Sequence, residues 1–266
     1  MDNRVQGVIE NLMPMDDSFF HKLSEEPAFC EEVLQVILQK KNLKVVEVTV
    51  QKSLRNVEGR SVVVDVLCRD DKGKYYNIEV QKQREDDCQR RVRYNGSNID
   101  TYVTEKGVKF EDIPDVYVVF ITQFDYFQKN KTIYHIDRIL RETGEAVDNG
   151  FHEIYVNTAV DDGTDIAALM KIFTSRSIKD DVRFPKVCER IRYFKEGKGG
   201  NTMCSTVEEY AKEYAKEYAE EYVREYTKGI VREMIEMGLE DEAIHRATKL
   251  SMNEIGEIRK NTIQHV

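Results

Sequence analysis

Apolar side chains along this chain alternate between two periods. Phe29, Val33, Val36 and Ile37 recur at helical spacing, in a segment that Ser24 and Pro27 open. The pattern then changes to that of strands, with residues 44–50, 61–68 and 75–81 rich in β-branched side chains. Residues 86–104 read as a helix again, ended by Gly107. The stretch 115–122, with Val-Tyr-Val-Val-Phe-Ile at its centre, is almost wholly apolar, which predicts a strand covered on both faces. Residues 133–139 and 152–157 read as further strands, and 165–174 and 181–194 as helices. Strands mixed with helices in this order predict an α/β domain around a mixed sheet.

The composition breaks at Lys198-Gly-Gly-Asn201. The pattern divides the chain into a domain over 1–197, a linker over 198–204, a long helix over 205–238 and a helical hairpin over 239–266. Tyr210, Tyr214, Tyr218, Tyr222 and Tyr226 mark a tetrapeptide repeat between the capping signature Ser205-x-x-Glu208 and Gly238. At 1.5 Å per residue this helix is a rod of ~50 Å. Glu209, Glu213, Glu217, Glu221 and Glu225 form a like-charged stripe along it that would repel DNA. Ala211, Ala215 and Ala219 would let another helix approach, so the expected role is self-association, most simply a homodimer. A second capping signature, Ser251-x-x-Glu254, separates two short terminal helices.

The 41% hydrophobic content supports a buried core, and the recurring valine and isoleucine runs exclude a disordered chain. No apolar run approaches the ~18–20 residues of a membrane-spanning helix. Five scattered cysteines without a C-x-x-C pair read as free thiols, and the N-terminus carries no secretory pattern, so a cytoplasmic protein is expected. The five histidines show no metal-ligand spacing and read as ordinary structural or surface residues. A net charge of −9 argues against recognition of nucleic acid by a generally basic surface.

The most informative chemistry lies on the central hairpin. Asp65 stands in Ser61-Val-Val-Val-Asp-Val-Leu-Cys68 and Glu79 in Tyr76-Asn-Ile-Glu-Val-Gln81, with turn-forming Arg69-Asp-Asp-Lys-Gly73 between them. A turn centred on Lys72 sets Asp65 opposite Glu79 and Val63 opposite Gln81, all on one face. Two carboxylates facing each other across apolar strands repel and lose hydration. A bound Mg2+ or Mn2+ would relieve this, with open positions left for a phosphate oxygen and water.

These residues resemble the Asp…Glu-x-Gln signature of the Rpn family, recombination-promoting nucleases of the PD-(D/E)XK superfamily that are also described as transposases. The likeness extends to Asp16-Asp-Ser-Phe-Phe-His-Lys-Leu23, Glu31-Glu-Val-Leu34, Arg93-Tyr94, Pro114-Asp-Val-Tyr-Val-Val-Phe-Ile121 and the charged repeat helix. It implies a restriction-endonuclease-like αβββαβ core with a mixed central sheet, followed here by the long helix and the short helical hairpin. It also implies a Mg2+-dependent DNA endonuclease, linked to recombination or mobile elements, with Asp65 and Glu79 as metal ligands and Gln81 as the third catalytic residue. Gln81 stands where many superfamily members carry lysine, and a neutral amide can only hydrogen-bond to the reacting groups. Glu32 on the first helix is expected to reach the metal through water.

Lys82, Arg84, Arg90, Arg91 and Arg93 are the densest basic group in the chain. Arg90 and Arg93 can share a helix face and are expected, with Lys82, to contact DNA phosphates. The competing reading keeps the fold but gives a catalytically inactive DNA-binding or assembly module, motivated by the acidic balance and the neutral Gln81.

Overall fold

The computed structural model describes residues 3–54, 61–84, 88–196, 223 and 226–263. The chain forms two compact units, Met1–Tyr210 and Ala211–Val266.

In the first unit, helices α1 (Asn3–Asn11), α2 (Asp17–Ser24) and α3 (Pro27–Ile37) precede strands β1 (Val45–Leu54), β2 (Val62–Asp70) and β3 (Tyr75–Gln81). Helix α4 (Cys88–Val103) and strand β4 (Val116–Thr122) complete the αβββαβ order that the sequence implied. Strands β5 (Ile133–Ile136), β6 (Arg138–Ile139), β7 (Ala146–Val147) and β8 (Phe151–Asn157) follow, then helices α5 (Asp165–Phe173) and α6 (Pro185–Lys195). Six strands form one mixed sheet in the order β1-β2-β3-β4-β8-β5, while β6 and β7 pair as a separate ribbon. The single strand expected over 133–139 is therefore split, its second half leaving the main sheet.

Helix α3 forms where the pattern predicts, with Pro27 in its first turn, where a missing N–H costs nothing. Its buried residues Phe29, Cys30, Val33, Leu34 and Ile37 pack into a core with α1, α2, α5, α6 and one face of the sheet. Each such side chain contributes roughly 1.5–3 kcal/mol by leaving water. Helix α4 covers the opposite face through Cys88, Val92 and Ile99. Gly96 lets α4 come down onto the Phe151 ring, whose atoms occupy the space that a Cβ would fill. With helices on both sides, all seven residues of β4 are buried.

Helices α1 and α2 lie in a region for which the periodicity predicted no element, because their apolar positions are few and their turns short. Helix α6 holds them: the buried Lys195 Nζ donates to the carbonyls of Glu10 and Leu12 at 2.8 Å each, and Arg190 donates to those of Lys22 and Leu23. Among the described residues, no helix is long and apolar enough to cross a membrane.

In the second unit, helix α7, described over 226–236, is followed by α8 (Asp241–Thr248) and α9 (Met252–Ile263). Val231, Ile235, Ile244 and Ile255 form its small core. At Ser251 the backbone N–H donates to Glu254 Oε2 at 2.9 Å, while Ser251 Oγ accepts from the Glu254 N–H at 3.3 Å, a reciprocal cap. The linker over 198–204 and the tyrosine repeat from Tyr210 to Tyr222 lie outside the described residues.

Candidate active site

The hairpin turn builds the site. Asp70 Oδ1 accepts from the backbone N–H groups of Lys72 at 2.9 Å and Lys74 at 2.8 Å. Gly73 takes a φ of +81°, a conformation that costs glycine little. This turn sets the register Arg69↔Tyr75, Leu67↔Asn77 and Val66↔Ile78. One step further along, Asp65 stands across from Glu79.

There the ladder opens. Asp65 N donates to Glu79 Oε1 at 3.2 Å, and Val80 N donates to Asp65 Oδ2 at 3.2 Å, so side chains take amides that strand pairing would otherwise use. On the other side of β2, the β1 register passes from Val50↔Val66 to Lys52↔Val64, and Gln51 between them has a φ of +50°. Left-handed backbone at a non-glycine residue is strained and persists only where its surroundings enforce it. The inside-outside alternation breaks at the same point. Val64 packs with Leu67 on the α4 side of the sheet, whereas Val66 packs on the other. The strict two-residue period expected of β2 thus fails at Asp65.

Glu79 is fully buried, beside Phe120 of β4 and beneath α4. Its Oε1 accepts from Asn77 Nδ2 at 3.0 Å as well as from Asp65 N. Its Oε2 is buried without a hydrogen bond; Arg91 Nη2 lies 3.5 Å away. Burial, and then the negative charge of Asp65, push the Glu79 pKa up to about 8, against the opposing pull of Arg91 and Asn77. Asp65 is partly exposed, and His21 Nε2 of α2 lies 3.6 Å from its Oδ1. Gln81 is held at both ends of the residue: Gln123 N donates to its carbonyl at 3.0 Å, and Arg91 Nη1 donates to its Oε1 at 3.1 Å.

The structure therefore brings Asp65, Glu79 and Gln81 to one end of the β2–β3 hairpin and adds Asn77, His21 and Arg91. Helical geometry holds the signal for Arg91, which is three residues after buried Cys88 and four before buried Asn95 and so borders the stripe facing the sheet. Arg90 and Arg93 are exposed on α4, away from the pair's hydrogen bonds. Lys82 forms an ion pair with buried Asp16 at 2.9 Å, tying the end of β3 to the connection before α2.

Glu32, expected to reach the metal through water, has a backbone partner on another helix. Its carboxylate accepts from Val187 N at 2.7 Å in the first turn of α6, where burial raises its pKa and the backbone N–H groups oppose that rise. Its neighbour Glu31 accepts from Val45 N at 2.9 Å. Both α3 glutamates thus fasten neighbouring elements.

Among the described residues, no group of three or more His, Cys, Asp or Glu side chains is arranged to hold a metal ion. Asp65 and Glu79 nevertheless suit a small hard cation, which often binds through one or two carboxylates and keeps several waters. The buried Glu79 Oε2, which accepts no hydrogen bond, beside a second carboxylate is the observation that fits.

The raised Glu79 pKa has a defined effect on stability. Between the unfolded value of ~4.3 and the folded value of about 8, the folded chain holds a proton that the unfolded chain has lost. That contribution is fully present below ~4.3 and is lost as pH rises through about 8. The melting temperature of metal-free protein should fall between pH ~6 and ~8.5, and Glu79→Gln should flatten much of that fall. Thermal denaturation in chelator across this range checks it; parallel slopes for both proteins would contradict the assignment.

A family model described as PD-(D/E)XK nuclease family transposase matches residues 22–159, from the end of α2 through β8, a range that includes Asp65, Asn77, Glu79, Gln81 and Arg91. No curated protein and no solved structure matches the chain. With its αβββαβ order, its six-stranded mixed sheet and a family match over more than half its length, the chain belongs to the PD-(D/E)XK nuclease family transposases.

Proposed function

We propose that this protein is a Mg2+-dependent DNA endonuclease, with Mn2+ able to substitute, that hydrolyses phosphodiester bonds in recombination or in the movement of mobile elements. The observation that carries the reading is the buried Glu79 Oε2, without a hydrogen bond, next to Asp65 at the opened end of the β2–β3 hairpin. Asp65 and Glu79 would hold the cation, which supplies Lewis acidity toward a phosphoryl oxygen and acidifies water. Gln81 has its Oε1 engaged by Arg91, so its Nε2 is the end that donates to the attacking water or the scissile phosphate. Arg90 and Arg93, exposed on α4, would seat backbone phosphates, and Lys82 adds positive charge beside Gln81. The four described cysteines are free and buried, which suits a reducing cytoplasm.

Asp65→Ala removes one of the two anionic groups while relieving their repulsion, so the fold should survive. Loss of several kcal/mol of transition-state stabilisation corresponds to about a thousandfold or more in rate. Circular dichroism and plasmid cleavage in Mg2+ and in Mn2+ make the comparison. Cleavage by folded Asp65→Ala at the wild-type rate would sink the assignment. Salt-sensitive DNA binding without cleavage by the wild type in either metal would instead favour the inactive-module reading.

We further propose that the chain self-associates through residues 205–238, giving a homodimer with one site for each strand of a duplex. Tyrosines and small alanines at helical spacing support it, since an isolated rod cannot bury them alone. Light scattering should give twice the chain mass for the full-length protein and the single mass for a chain ending at Gly200. A full-length monomer at micromolar concentration would contradict it.

A further inference from the structure

Gln81 leaves the site short of positive charge. Two carboxylates, a phosphodiester and the hydroxide that attacks it carry four negative charges at the transition state, and a divalent cation offsets only half of them. A neutral carboxamide offsets none. The side chain that can is Arg91: it donates to Gln81 at 3.1 Å and lies 3.5 Å from Glu79.

Its contacts differ from those of a purely structural counter-ion. A guanidinium that served only to neutralise Glu79 would sit at the 2.7–2.9 Å (roughly) of a charge-assisted hydrogen bond. At 3.5 Å it is set back from the carboxylate and makes its shorter bond to the neutral Gln81. The side chain is 41% exposed, while Glu79 beneath it is 0% exposed, so the guanidinium has one side on the site and the other toward solvent, where DNA would approach. A guanidinium carries five N–H donors, and the hydrogen bond to Gln81 engages one of them. The backbone behind it is rigid, because Cys88, Val92 and Asn95 on the same helix are buried. A planar fork on a fixed helix is suited to phosphate oxygens.

We propose that Arg91 is a further catalytic residue, its guanidinium donating to the non-bridging oxygens of the scissile phosphate and supplying the charge that Gln81 lacks. The inference rests on the endonuclease reading. It separates Arg91 from Arg90 and Arg93, whose place is on the flanking backbone phosphates. It also assigns Gln81 a second task, holding the guanidinium over the site before DNA arrives. The guanidinium keeps its protons throughout and acts by charge and hydrogen bonding alone.

The test compares wild type, Arg91→Gln and Arg91→Lys in three measurements: Mn2+ affinity by electron paramagnetic resonance, DNA affinity without catalytic metal, and single-turnover cleavage. Arg91→Gln should bind Mn2+ at least as tightly as wild type, since a neighbouring positive charge is gone, and bind DNA within several-fold. Its single-turnover rate should fall ~10²–10³-fold, the cost of losing one preorganised donor to developing charge. Arg91→Lys, which restores the charge without the fork, should recover part of that rate. Cleavage by Arg91→Gln near the wild-type rate would overturn the inference alone. Weakened Mn2+ binding accompanying the rate loss would also overturn it, by making Arg91 a positioning residue for Glu79. A wild-type protein that binds DNA but never cuts would overturn the endonuclease reading and this inference together.

Discussion

A fully buried carboxylate beside a second one is the constraint around which this site is organised. Glu79 is surrounded by apolar strand residues and α4, and its burial alone favours the neutral acid. Proximity to Asp65 pushes the same way, so the metal-free pair meets at a cost that local hydrogen bonds only partly offset. Asn77, the amides of Asp65 and Val80, and the set-back Arg91 each take part of that load. None of them satisfies Glu79 Oε2. A bound cation, as proposed above, would offset that cost.

The surrounding fold makes that arrangement possible. Antiparallel β2 and β3 would ordinarily close their ladder through Asp65 and Glu79. The left-handed backbone of Gln51 and the change of face between Val64 and Val66 accompany the opening, which frees two amides for two carboxylates. Parallel pairing of β3 with β4 then fixes Gln81 beside Thr122, and α4 brings Arg91 over the gap. The sheet end, the helix and the turn at Gly73 thus converge on one place, although their residues are far apart in the chain.

Much of this was legible from local pattern. The turn residues Asp70 to Gly73 dictated the hairpin register, and the unbroken apolar run of β4 announced a strand covered on both faces. Other features depend on contacts with distant residues. Glu32 is drawn to the N-terminus of α6, 155 residues further on, and nothing in its own neighbourhood reveals that. His21 reaches Asp65 only because α2 folds against β2, and its spacing from other histidines carries no signal. Arg91 was visible as one basic residue among several; choosing it required the buried stripe of α4, which pairs it with Cys88 and Asn95 and leaves Arg90 and Arg93 outward. The break in alternation at Asp65 defeats a strict two-residue period because tertiary packing overrides local pattern there.

The claim that the Asp65–Glu79 pair is a cation site is tested most directly by calorimetric titration of Mg2+ at pH ~7 in two buffers of different ionisation enthalpy. With the Glu79 pKa near about 8 before binding, most chains carry the Glu79 proton at that pH and must release it. The expected result is one ion per chain with net proton release, both lost in Glu79→Gln. Binding with no proton release, or equal binding by Glu79→Gln, would contradict the account.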